Sequence, residues 1–418
     1  MKKLITVSIF RIYDLFQGHA ITSFYEKAKA KNTLSSSENI NNDLKSYFQK
    51  WGFKEDITQN ALMKKQDIKN WVQKVDKNQV HSWAYTGGSY GEPLKVPYSK
   101  KRSFIRTATF KYFNELGKYN LGDSFALIRA KNKSKFIKFL RNETIIIPHD
   151  ISESKLNDIF SEIIDKKVKV LMGYPTVMYE MALFLSKNQH LKKRLHVQSL
   201  ISVSEMLEFE KREVIREQFN CNFIDRYSNE EVGVIAQQKE FGGKYFVNKY
   251  GVYVEVLDPF TLLPVAEGET GKVVVTDINN DLIPVIRYDT GDLAIVDKYQ
   301  DGHLHTLSAI LGREVDKLFD VNNKPISSLF LGPYIYKPLA NKGYVNQFQL
   351  AQIDSGIYEL RIKKEKQNPD SETLEVIKNN LNEVLGRKAV IKFTMLNDIP
   401  ALPSGKRPVY KNEMLSKS

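Results

Sequence analysis

A single cysteine, Cys221, among 418 residues leaves no partner for an intramolecular disulfide and no cysteine cluster for a metal. No run of about 20 apolar residues is present, so no segment reads as a bilayer-spanning helix. The start M-K-K-L-I-T-V-S-I-F-R-I-Y-D-L-F has the charge of a secretory leader. Its apolar run is broken by Thr6, Ser8 and Arg11, however, and no small-residue cleavage site follows. It reads as an amphipathic helix of a cytoplasmic protein, with weak peripheral contact of this segment with a membrane kept open. Internal repeats and long low-complexity segments are absent. The net charge of +13 is not gathered into an aromatic and basic recognition module, because lysines are interleaved with acids along the whole chain. That distribution argues against nucleic acid and suits the capture of small polyanions.

What is there begins with Y-T-G-G-S-Y-G-E-P at 85–93. Gly87, Gly88 and Gly91 lack a Cβ and let backbone N–H groups approach an anion, while Thr86 and Ser89 add hydroxyl donors. No Lys-Ser or Lys-Thr pair follows, so the string is neither a P-loop nor a dinucleotide fingerprint. The two readings are a phosphate cradle and a Gly-rich turn between strands at 81–85 and 94–98. Further along stand Y-S-N-E-E-V-G at 227–233, I-R-Y-D-T-G-D-L at 286–293, G-R-E-V-D at 312–316 and P-S-G-K at 403–406.

From about 150 onward helix and strand patterns alternate, the mark of parallel α/β construction. Ser152 caps an expected helix with Leu156, Ile159, Phe160, Ile163 and Ile164 on one face, and V-K-V-L-M at 168–172 follows as a buried strand. A helix after Pro175, a strand at 199–203, a charged helix over 205–219 and a strand at 222–227 come next. Tyr227 to Glu231 then fall just past a strand's carboxyl end, where open α/β sheets bind ligands. After Tyr250 short strands and turns take over. A boundary is expected at 311/312, giving a large domain over 1–311 and a small α/β domain over 312–418 with a hairpin, a helix at 371–385 and a strand at 388–396. The polar run at 32–42 reads as a surface loop.

Taken in order, these motifs resemble those of the adenylate-forming superfamily of acyl-CoA synthetases, luciferases and peptide-synthetase adenylation domains. The wording T-G-G-S-x-G-E-P-L-K is most similar to the phenylacetate-CoA ligase-like branch that includes capsular-polysaccharide adenylating proteins, and K-K-Q-D-I near 66, S-V-S-E-M-L at 202–207 and Q-F-Q-L at 347–350 extend the likeness over nearly the whole chain. The resemblance implies α/β sheets with a distorted β-barrel in the large domain, and a mobile small domain carrying a catalytic lysine. It implies an ATP- and Mg²⁺-dependent ligase that joins a small carboxylic acid to AMP, releases pyrophosphate, and passes the acyl group to a thiol, CoA or a carrier, or to an amine in cell-surface polysaccharide synthesis.

By position in the motifs, Thr86, Gly87, Gly88, Ser89 and Gly91 would hold the leaving phosphates, Tyr227 would stack on adenine and Glu231 would hold Mg²⁺. Asp292 would accept the ribose hydroxyls, Arg313 would touch ribose or phosphate, and Lys406 would reach the α-phosphate and the attacking carboxylate. Glu92, Ser228, Glu230 and Val315 depart from the usual residues. Tyr174 and Ser204 are acyl-pocket candidates from their places after strands. Relatives often carry a cysteine pair before the Gly-Arg motif. Here His303 to Leu311 occupies that place, so structural zinc is not expected and His303 and His305 read as surface or hairpin residues. An aryl-acid CoA ligase of the phenylacetate type is the narrower alternative, and a catalytically lapsed nucleotide-binding protein is the alternative of another class.

Overall fold

The structure is a computed structural model, and it describes all residues except 1, 34–37, 86–93, 130–131, 148–151, 206–208, 260, 314–317, 323–324, 327–330, 343, 345–346, 365–367, 400–407 and 415–418. Two compact units divide the chain, the first comprising residues 1–204 and 214–310, the second 205–213 and 311–418.

An eleven-stranded sheet spans the first unit. Five of its strands are parallel, in the order Glu143–Ile146, Phe125–Ile128, Val170–Gly173, Ser199–Val203 and Asn222–Asn229. The first four are short, largely apolar runs, as strands covered on both faces require, whereas Asn222–Asn229 carries Asp225 and Arg226. The connecting helix Glu153–Asp165 buries Leu156, Ile159, Phe160, Ile163 and Ile164, the five residues its 3.6-residue period sets on one face. Pro175 opens the next helix, Pro175–Lys187, where its missing N–H costs nothing. Beyond Asn222–Asn229 the sheet turns antiparallel through Gly233–Gln238, Tyr245–Val247 and His303–Arg313. It ends with Tyr288–Gln300, Thr270–Thr276 and Tyr253–Leu257.

These outer strands share one core with the hairpin Ser82–Tyr85 and Lys95–Tyr98 and with the helix Glu38–Trp51. Val254, Val273, Ile286 and Leu307 meet Phe48, Leu94 and Val96 there, the packing of a distorted barrel. The polar stretch at 32–42 differs from its expected loop. Residues 38–42 form the first turn of Glu38–Trp51, and Leu44, Tyr47 and Phe48 bury its inner face. A solvated helix start needs no apolar residue, so polarity there did not signal a loop.

In the second unit the strand order is Val390–Leu396, Ile357–Lys363, Phe348–Asp354 and Tyr410–Asn412. The helices Gly332–Asn341 and Ser371–Leu385 contribute Ile335, Leu339, Ile377, Leu381 and Leu385 to its core. Asp370 caps Ser371–Leu385 by accepting the Thr373 N–H at 2.8 Å, which satisfies one of the helix's free donors.

Candidate active site

The site grows from the strand Asn222–Asn229, at which the large sheet changes from parallel to antiparallel. Successive side chains leave it on opposite faces. Arg226 enters the interior on one side, donating to Gln237 Oε1 at 2.6 Å and to Asn114 Oδ1 at 2.8 Å. With these neutral acceptors, burial lowers the guanidinium pKa to about 9. Tyr227 points the other way, into the shared core, and is 9% exposed. Two residues before Tyr227, Asp225 accepts from the Ser202 hydroxyl and the Tyr245 hydroxyl, each at 2.5 Å. That buried carboxylate ties Asn222–Asn229 to the adjacent Ser199–Val203 and, across the intervening Gly233–Gln238, to Tyr245–Val247.

Tyr227 donates its hydroxyl to Asp292 Oδ2 at 2.7 Å and lies 3.3 Å from Thr290 Oγ1. A bulge brings Asp292 there. Lys272 pairs with Leu293 and Val274 with Asp289, so Thr290, Gly291 and Asp292 all stand opposite Val273. Gly291 has φ +74°, which a glycine adopts at no steric cost. Its N–H donates to Asp289 Oδ1 at 2.9 Å, the Thr290 hydroxyl donates to the Val273 carbonyl at 2.9 Å, and the Asp292 N–H donates to Thr290 Oγ1 at 3.1 Å. The T-G-D string is thus a braced bulge inside the strand Tyr288–Gln300 rather than a turn between strands.

Glu230 and Glu231 occupy the turn between Asn222–Asn229 and Gly233–Gln238, not a helix start. Glu231 is 8% exposed, and its Oε1 accepts from the Tyr288 hydroxyl at 3.0 Å. Glu230 is directed away into an ion pair with Arg106 at 2.8 Å. The Glu230 carbonyl accepts the Tyr98 hydroxyl at 2.5 Å, which fastens the hairpin to this turn. In that hairpin Tyr85 stands opposite Lys95, and the Lys95 ammonium lies 4.0 Å from the Trp83 ring centroid.

Among the expected site residues, Tyr227 and Asp292 are therefore in direct contact, and Tyr288 joins Glu231 to the motif that supplies Asp292. Thr86, Gly87, Gly88, Ser89, Gly91 and Lys406 lie outside the described residues. Arg313 ends the strand His303–Arg313. The roles of Tyr288, Thr290 and Asp225 were not drawn from the sequence. Tyr288 and Thr290 sit inside the quoted I-R-Y-D-T-G-D-L string, while nothing local marks Asp225. The acyl-pocket candidates follow parallel strands. Gly173 precedes Tyr174, and a Cβ on it would lie 2.5 Å from Ile128 Cβ, so the strands close there only around glycine. Ser204 has φ +72°, a strained value for a residue with a Cβ.

His303 and His305 lie, as expected, in a hairpin, on the strand His303–Arg313 that returns beside Tyr288–Gln300; His303 is buried edge-on against Tyr253, with ring centroids 5.7 Å apart, and burial lowers its pKa. Among the described residues no group of three or more His, Cys, Asp or Glu side chains could hold a metal. A nearly buried carboxylate such as Glu231 suits Mg²⁺ arriving with phosphates, because that ion takes most of its ligands from phosphate and water.

Solved structures that superpose on this chain include acyl-CoA ligases. A 2-hydroxyisobutyryl-CoA ligase in the postadenylation state, in complex with 2-HIB-AMP, superposes with a TM-score of 0.67 at 13% identity over 95% of this chain and 90% of that one. An anthranilate CoA ligase in complex with anthranoyl-AMP gives 0.55 at 16% identity, over 78% and 66% of the two chains. ATP-bound MatB from Rhodopseudomonas palustris gives 0.53 at 16% identity, over 81% and 68%. The chain is built on the adenylate-forming ligase fold. Within that class, residues 322–413 match the family model described as the CapK C-terminal domain. No curated protein matches the sequence.

Proposed function

We propose that this protein is an ATP-dependent ligase that activates a small carboxylic acid as its acyl-AMP. The observation that carries the reading is the contact of Tyr227 with Asp292 at the carboxyl end of Asn222–Asn229, with Glu231 on the following turn. Asp292 accepts the Tyr227 hydroxyl, and its carboxylate would accept the two ribose hydroxyls. Tyr227 offers a ring held by its own hydroxyl for the adenine face. Glu231, oriented by Tyr288, would hold the Mg²⁺ that accompanies the phosphates.

In the first step an oxygen of the substrate carboxylate attacks the α-phosphorus, and the bond to the bridging oxygen of pyrophosphate breaks. Charge must be neutralised on both sides of that phosphorus. Backbone and hydroxyl donors of Thr86, Gly87, Gly88, Ser89 and Gly91 serve the leaving group; Lys406 and Arg313, both from the domain over 312–418, serve the α-phosphate and the ribose. In the second step a thiol or amine attacks the acyl carbon and AMP departs. Two of the neighbours named above hold an acyl-AMP or its analogue and a third holds ATP, which supports ATP as co-substrate. Another solved form of the 2-hydroxyisobutyryl-CoA ligase contains CoA, which supports a thiol acceptor and a cytoplasmic site of action. The motif wording T-G-G-S-x-G-E-P-L-K supports the reading in which the acyl group is destined for a cell-surface polysaccharide.

The test is pyrophosphate release by the purified chain with ATP and Mg²⁺ over a panel of aliphatic, hydroxy and aryl acids. Release that depends on one class of acid identifies the substrate. ATP binding at Asp292 without release for any acid would favour the lapsed nucleotide-binding protein.

A further inference from the structure

The helix Lys2–Phe16 packs Phe10 against the cluster of Ile21, Phe104 and Ala108 but leaves most of its apolar side chains outside. Its polar Thr6 and Asp14 are buried, whereas Leu4 is 71% exposed, Ile12 54%, Leu15 58% and Phe16 80%. Asp14 is needed inside, since it accepts the Ile21 N–H at 2.8 Å and the Thr22 hydroxyl at 2.5 Å, fixing the start of the next helix. Nothing comparable requires the apolar residues outside. Packed beside this helix is the short helix Lys135–Leu140, where Phe136 is 69% and Phe139 48% exposed. Of the fourteen large apolar side chains exposed among the described residues, nine lie on these two helices. Such clustering marks an interaction surface rather than scattered exposure.

Charge indicates what covers it. Lys2, Arg11, Lys135 and Arg141 are exposed around the apolar residues, with Lys138 half-buried among them. No carboxylate on either helix is exposed: Asp14 is buried, and the nearby Glu143 is buried and paired with Lys133. The surface is held in place as well. Lys3 pairs with Asp123 at 2.8 Å, and a Cβ on Gly122 would lie 2.8 Å from the Lys3 carbonyl, so the helix backbone rests directly on that loop. No described helix is long and apolar enough to cross a membrane.

We propose that the face formed by Lys2–Phe16 and Lys135–Leu140 docks on an anionic lipid surface. Leu4, Ile12, Leu15, Phe16, Phe136 and Phe139 enter the boundary between headgroups and acyl chains, and the basic rim meets lipid phosphates. The pairing of a rigid apolar face with one sign of charge is what separates this partner from a second copy of the chain, whose identical basic rim would repel it.

The experiment is flotation of the full chain with phosphatidylcholine vesicles and with vesicles containing phosphatidylglycerol. Binding is expected only, or at least about tenfold more strongly, with the anionic lipid, and should weaken in high salt. Phe16→Ser with Phe136→Ser should reduce it by about tenfold or more, since each ring loses its place in the acyl region. Lys135→Glu with Lys138→Glu should reduce it by about fivefold per charge removed. Melting temperatures measured alongside separate lost binding from lost folding. Absence of parent binding to anionic vesicles overturns the proposal, as does binding that survives both variants. A dimer in sedimentation velocity that Phe16→Ser disperses, without any vesicle binding, would assign the face to a second copy and overturn it equally. ATP-dependent pyrophosphate release by both variants should equal that of the parent, so a failed lipid experiment leaves the ligase reading where it stands.

Discussion

Replacing Asp292 by alanine removes a carboxylate that accepts the Tyr227 hydroxyl at 2.7 Å and that we propose accepts the ribose hydroxyls of ATP. A hydrogen bond to a charged acceptor contributes about 1.5–3 kcal/mol. Losing one ribose contact should weaken ATP by about 10- to 150-fold, and losing two by more. The variant also removes the 2.7 Å acceptor of the Tyr227 hydroxyl, whose contact with Thr290 is longer at 3.3 Å, so stability should fall by about 1–2 kcal/mol. Tyr227→Phe separates the two effects. It deletes the hydroxyl, keeps the ring and frees the carboxylate, and should cost only about 0.5–1.5 kcal/mol in stability with at most a severalfold change in affinity. Titration calorimetry with ATP, read against thermal melts of the three proteins, checks both. If Asp292→Ala remains folded and binds ATP like the parent, the nucleotide lies elsewhere and the assignment of this bulge fails.

Lys406→Ala should slow acyl-AMP formation by about 10²–10³-fold while leaving transfer from supplied acyl-AMP nearly intact, as single-turnover assays of each half-reaction would show; equal losses would make the tail structural. Glu413, hydrogen-bonded to Arg361 at 2.9 and 3.2 Å and to Lys411 at 2.8 Å, has its carboxyl lowered to about 2. A depressed folded-state value stabilises above the unfolded value near 4.5 and is lost as pH falls toward 2. Glu413→Gln should therefore lower the melting temperature at neutral pH, and the gap from the parent should close between about pH 4.5 and 2. Burial raises the Cys221 thiol to about 12, so a thiol reagent at pH 8 should label the native chain far more slowly than the denatured one, and Cys221→Ala should retain full activity.

Local patterns carried much of the fold into view. The helix Glu153–Asp165, the strand Ser199–Val203 and the helix Ser371–Leu385 announce themselves by period and caps, because each is decided by which face it buries. The site was legible as separate strings, and Tyr227 and Asp292 came from motif order, not from any local cue that they touch. Their contact spans 65 positions and depends on a bulge that no periodicity displays. Charge was the least legible property. Lys27, Lys31, Lys50, Lys101 and Lys249 are scattered in sequence, yet they line one cavity of about 570 Å³ with Asp43 and Asp281. The exposed apolar helix at the start was misleading in a similar way: its amphipathic pattern is visible in the sequence, but which face meets the protein is decided by Asp14.

The bulge at Thr290 to Asp292 adds an even number of residues, since the two steps from Lys272 to Val274 are matched by four from Leu293 back to Asp289. Side chains alternate with a period of two, so Leu293, Ala294 and Val296 keep the faces they would have had in an unbroken strand. An acid has been inserted without recutting the hydrophobic core on either side. The constraint on this motif is then one of parity as much as of chemistry. Deleting Gly291 alone would turn every later side chain of the strand to the wrong face, whereas removing two neighbouring residues would erase the site and leave the sheet able to form.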